Sequence, residues 1–114
     1  MGKHTLFLLN PGFFDDEDGP FFCPHSAALE GLLKYAPELQ TVLEVRRVDF
    51  ARPRPEIVAL LGAENQNTPV LIIGDSQKVP AQAKVSAETG RAFILGEIAI
   101  SNFLHSAVGT VKPH

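Results

Sequence analysis

The 114-residue chain contains a single cysteine, a single methionine and no tryptophan, and each scarcity excludes something. One thiol cannot close an internal disulfide, so no covalent staple supports the fold. Four histidines are present without the further thiols of a structural zinc spacing, and His4, His105 and His114 show no ligand spacing with Cys23. No metal site is predicted. An excess of charge of either sign is also missing. The formal net charge is −3, and the ten Lys and Arg are scattered, so the chain has no electrostatic footprint for nucleic acid or an anionic membrane surface. Long hydrophobic runs are absent as well. The longest near the N-terminus, Leu6 to Leu9, stops at Pro11 and Gly12, far short of a signal-peptide core or a spanning helix. These absences predict a cytoplasmic protein with neither nucleic acid nor membrane as partner.

What is present suits one hydrophobic core. A content of 45% hydrophobic and 20% charged residues is enough for one ordinary core in a chain too short for two. One domain over residues 3–110, with 111–114 as a tail, is the expectation. Residues 5–9 are continuously apolar at strand length, which suits a strand buried on both faces. Residues 13–22 carry Asp15, Asp16, Glu17 and Asp18 between pairs of phenylalanines and read as a loop with a solvated tip, without the spacing of an EF-hand. The phenylalanines suit either packing of that loop onto the core or a docking surface.

Leu29, Leu32, Leu33 and Ala36 then form one apolar stripe, with Pro24 at the first helical position and Pro37 as the stop, predicting a helix over 24–36. Residues 42–50 are a valine-rich strand suited to a sheet edge, since Pro53 and Pro55 forbid extension. Residues 56–61 form a short helix that Gly62 ends. Strands follow at 70–73 and 92–95, separated by a long polar stretch read as a loop. Ile100, Phe103, Leu104, Ala107 and Val108 mark a last helix that Gly109 closes.

The resulting order, β-α-β-α-β-β-α, begins with a βαβ unit and ends with an antiparallel pair, giving an α/β fold with a four-stranded mixed sheet flanked by helices. Three short motifs sharpen it. Phe22-Cys23-Pro24-His25-Ser26 after the first strand resembles the active-site turn of glutaredoxins and thioredoxins. Thr68-Pro69-Val70 resembles the cis-proline segment that faces this turn in that superfamily. Gly96-Glu97-Ile98-Ala99-Ile100 before the last helix resembles, more loosely, the N-terminal domain of glutathione transferases. Within the superfamily the chain is most similar to an uncharacterised bacterial family that shares a Cys-Pro-His turn and a histidine near the C-terminus. The resemblance implies a thioredoxin-like fold of the glutaredoxin type.

A cysteine at a helix N-terminus faces unsatisfied N–H groups and the positive end of the helix dipole, both of which favour the thiolate. Ser26 is placed to donate a hydrogen bond back to the Cys23 sulfur, and His25, when protonated, to add to it; His25 reads equally as a solvated turn residue. The acidic run before the turn would oppose a thiolate if it folds over it. Ser26 stands where dithiol relatives have a second cysteine, so an internal disulfide is excluded and monothiol chemistry remains. The resemblance implies a mixed disulfide with glutathione or with a disulfide-bearing protein as substrate. It places Pro24, Thr68, Pro69 and Val70 at the ligand. Gly96 and Glu97 stand where the transferases have Glu-Ser, so Glu97 would repel a ligand carboxylate or hold a ligand amine. Two alternatives accompany this: a non-catalytic thioredoxin-like module that binds a peptide or protein, and an iron–sulfur carrier in which Cys23 and a glutathione thiol share a cluster across a dimer.

Overall fold

The computed structural model describes residues 3–75 and 77–114. Strand β1 (His4–Leu9) is the second strand of a mixed five-stranded sheet of order β4 (Leu43–Val48), β1, β5 (Val70–Ile72), β7 (Ala92–Leu95) and β6 (Lys84–Val85). Its parallel partner β4 (Leu43–Val48) lies at the sheet edge, reached through helix α1 (Pro24–Tyr35) and a short 3-10 turn (Pro37–Thr41). On its other side β5 (Val70–Ile72) is antiparallel to β1 and to β7 (Ala92–Leu95). Helices α2 (Pro55–Leu61) and α3 (Glu97–Val108) complete the layers.

The apolar run of β1 explains the three-layer arrangement. Leu6 and Leu8 point to one face, where they pack with Leu29 and Leu32 of α1 and Ile100, Phe103 and Leu104 of α3. Phe7 and Leu9 point to the other, against Ile57 and Leu61 of α2, with Val70 and Phe93. Because side chains alternate along a strand, only a sheet covered on both sides can bury four consecutive apolar residues.

Two expectations are corrected. The sheet has five strands rather than four, because β6 (Lys84–Val85) pairs with β7 inside the stretch read as a long loop. Both its side chains are exposed, so it left no hydrophobic signal. That stretch also closes the end of α2. The Ser86 hydroxyl donates to the Leu61 carbonyl at 2.7 Å and the Thr89 hydroxyl to that of Leu60 at 2.7 Å, satisfying carbonyls that a helix C-terminus leaves open. Ser76, in the same stretch, lies outside the described residues.

The second correction concerns residues 13–22, which form a β-hairpin of β2 (Phe13–Asp15) and β3 (Asp18–Phe21) rather than a loop. The Phe13 ring stacks on Phe50 at 4.4 Å between centroids, fastening the hairpin beside the end of β4. Gly19 permits the close approach of its strands, since its φ is +144° and a Cβ there would stand 2.8 Å from the Phe13 carbonyl oxygen.

Candidate functional site

Cys23 is the N-cap of α1, in extended backbone conformation, with Pro24 at the first helical position. Its sulfur accepts the Ser26 backbone N–H at 3.4 Å, and its carbonyl accepts the Ala27 N–H at 2.9 Å. A sulfur atom here does the work usually left to a serine or aspartate oxygen. The partly buried thiol opens into a cavity of about 400 Å³, a size typical of small-molecule sites. Phe13, Phe21, Phe22 and Phe50 supply its apolar wall; Asp15, Arg52, Arg54, Asn67 and Thr68 supply its polar groups.

Of the residues expected at a site, the structure gathers Cys23, Pro24 and Thr68 around this cavity. The Thr68–Pro69 bond is cis, as the resemblance implies. Pro69 is buried beside it, and its carbonyl accepts the Gly96 N–H at 3.1 Å. Val70 is a core residue, paired with Phe7 on one side and Leu95 on the other.

Ser26 acts differently from the expectation. Its hydroxyl is buried and accepts the Leu9 N–H at 3.1 Å, so its backbone, not its side chain, serves the sulfur. His25 also turns away from a role at the thiol. Its Nδ1 lies 2.8 Å from a carboxylate oxygen of Glu97, joining the first turn of α1 to that of α3. The hydrogen bond from His25, and then that from the backbone N–H of Glu97 itself, hold the Glu97 carboxyl below the usual carboxylate range. Neither Gly96 nor Glu97 lines the cavity.

Arg54 is the cavity-lining residue that sequence reasoning missed. It is 5% exposed, a burial seldom seen for arginine without a carboxylate partner. Nε and Nη2 donate to the Phe50 carbonyl at 3.2 and 2.6 Å, and Nη1 donates to the Gln66 carbonyl at 2.7 Å and to the Thr68 hydroxyl at 3.5 Å. Among the described residues no carboxylate forms an ion pair with it. Burial and then the neighbouring Arg52 charge lower its basicity, while the Cys23 sulfur acts in the opposite direction. The signal available in sequence was weak: one arginine between Pro53 and Pro55, at a helix N-terminus where a cation is unfavourable by the dipole alone.

Among the described residues no three His, Cys, Asp or Glu side chains come together as a metal site, and no helix is long and apolar enough to cross a membrane. No curated protein and no solved structure matches the chain. A family model described as "Protein of unknown function (DUF3088)" matches residues 3–112, and the chain therefore belongs to that family.

Proposed function

We propose that this protein has a thioredoxin-like fold of the glutaredoxin type and carries out monothiol disulfide exchange through Cys23. The observation that carries the reading is the position of the sulfur. It caps α1, accepts a backbone N–H and opens into a cavity that Thr68 of the Thr68-Pro69-Val70 segment also lines. The sheet supports the fold assignment. Its β4-β1-β5-β7 portion has one parallel pair built by a βαβ unit and two antiparallel pairs, the arrangement the resemblance implies.

In the reaction the Cys23 thiolate attacks one sulfur of a mixed disulfide. The S–S bond breaks, its electron pair leaves with the departing thiolate, and the acceptor remains bonded to Cys23. A second thiol, such as glutathione from solution, then attacks this new disulfide and frees Cys23. Ser26 cannot resolve the intermediate, because it has no thiol and its hydroxyl is tied to Leu9. The cell compartment consistent with this chemistry is a reducing one, as the cytoplasm is.

The test is intact mass after incubation with oxidised glutathione, alongside iodoacetamide alkylation, with Cys23→Ser as control. A single glutathione adduct that a free thiol removes supports the reading. A thiol that resists both reagents in the folded protein overturns it.

A second reading has its own support. Phe22, which lines the cavity, is 62% exposed, and Phe14 on the adjoining hairpin is 56% exposed, a display of large apolar side chains that suits a docking surface. A non-catalytic module that holds a peptide or protein there predicts that Cys23→Ser retains the partner.

A further inference from the structure

Burying a guanidinium is costly unless a counter-charge accompanies it. Among the described residues Arg54 has none, and carbonyl and hydroxyl oxygens take four of its five N–H groups. One Nη2 hydrogen is left on a side chain that lines the cavity. Arg52, which also lines the cavity, forms no ion pair with a carboxylate among the described residues; its Nη2 donates to the Asn67 side-chain oxygen at 2.7 Å. Among the described residues Asp15 is the single acid lining the cavity, and it forms no ion pair with either arginine. Two cations and one carboxylate therefore line a cavity whose apolar wall is largely four phenyl rings.

We infer that this cavity selects an aromatic carboxylate, with the acid group seated at Arg54 and Arg52 and the ring among Phe13, Phe21, Phe22 and Phe50. The rings suit another ring because aromatic pairs attract in offset or edge-to-face geometry beyond simple area burial. The acid supplies the counter-charge that Arg54 lacks and accepts its remaining Nη2 hydrogen in a charge-assisted bond. This deepens the exchange reading and rests on the Cys23 cavity being the ligand site. Under it, the preferred disulfide joins sulfur to an aryl group bearing a carboxylate. Thiolate attack breaks the S–S bond, leaves the arylthio group disulfide-bonded to Cys23 and releases the other sulfur as a thiolate.

Two measurements test the inference. In the first, naphthoate is titrated into the Cys23→Ser protein by calorimetry, against neutral naphthalenemethanol. Saturable binding of the acid, at least about tenfold tighter than the alcohol, is expected. The exposed-side-chain variants Arg52→Gln and Phe22→Ala, which leave the core intact, each weaken it several-fold. Absent binding, equal binding of acid and alcohol, or variants that change nothing overturns the inference. In the second, exchange rates of wild type with dithiobis(nitrobenzoate) and with uncharged dithiodipyridine are compared. The anionic disulfide is favoured, and Arg52→Gln lowers that ratio; a cation that only tuned the thiol would slow both reagents alike and leave the ratio unchanged. Equal rates with both disulfides sink the inference and leave the exchange reading standing. Naphthoate binding with no exchange does the reverse.

Discussion

The N-termini of α1 and α3 meet through His25 and Glu97, yet they are finished in opposite ways. At α3 an acidic residue in the first turn bonds its own backbone N–H and the His25 ring, and the Gly96 N–H is taken by Pro69. At α1 the first turn holds no acid, and a sulfur is the cap. Both helices face the same problem of unsatisfied N–H groups. The first solution closes the terminus with resident charge, whereas the second leaves a reactive atom on it that also faces a cavity. A helix terminus becomes a site when its cap is also a nucleophile and its surroundings remain open.

The most complete effect that breaks this contrast comes from the cap itself. Cys23→Ser is expected to abolish adduct formation by mass while leaving urea unfolding unchanged or slightly improved, because serine is a good N-cap. A destabilised variant would mean that the sulfur is chiefly a packing group. Next in size is Arg54→Met, which leaves the Phe50 and Gln66 carbonyls without their donor. A loss of about 1–3 kcal/mol for the buried Gln66 carbonyl, with less for the part-buried Phe50 carbonyl, is expected in urea unfolding; no loss would show that these carbonyls find water. Ser26→Ala strands the buried Leu9 N–H and is expected to cost about 1–3 kcal/mol in the same assay.

A smaller effect is expected from pH at the far end of β1. His4 is buried, its ring meets Phe103 edge-on at 5.5 Å, and its Nδ1 accepts the Gly74 N–H at 2.9 Å. Burial holds its pKa below the ordinary 6.5. Below that value the unfolded chain binds a proton that the folded chain resists, so stability is complete above pH 6.5 and declines as pH falls through the folded value. Urea midpoints measured from pH 7.5 to 5 should decrease, and His4→Gln should flatten the decrease. The smallest change belongs to Glu97→Gln at the closed terminus. It should shift the midpoint little, since exposed pairs contribute little, and leave Cys23 alkylation unchanged. A large change in alkylation would mean that the two termini act as one unit.

Much of the scaffold was legible before any coordinates, for reasons that belong to particular residues. Pro24, Pro37 and Pro55 punctuate α1 and α2 because proline fits a helix start and resists continuation. Gly109 ends α3 in left-handed conformation at φ +75°, as a glycine past a periodic stripe suggests. The hairpin was not legible, because it is short and its glycine, proline and acidic residues resemble a loop. Strand β6 has two residues and no buried face, so only its pairing with β7 defines it.

The candidate site divides along the same line. Local sequence placed Cys23 at a helix start, because a cap is a property of neighbours in the chain. It could not assign Ser26 and His25, whose partners Leu9 and Glu97 lie 17 and 72 positions away. Nor could it find Arg54 beside the thiol, since that proximity depends on how the β4–α2 connection packs against the hairpin and the cis-proline turn. The sequence by itself determined the three helices, four of the five strands of the main sheet and the cap, through periodicity, proline and glycine acting over a few residues. Tertiary structure alone decided which charges stay unpaired around the sulfur, because long-range packing selects the partner of each buried polar group.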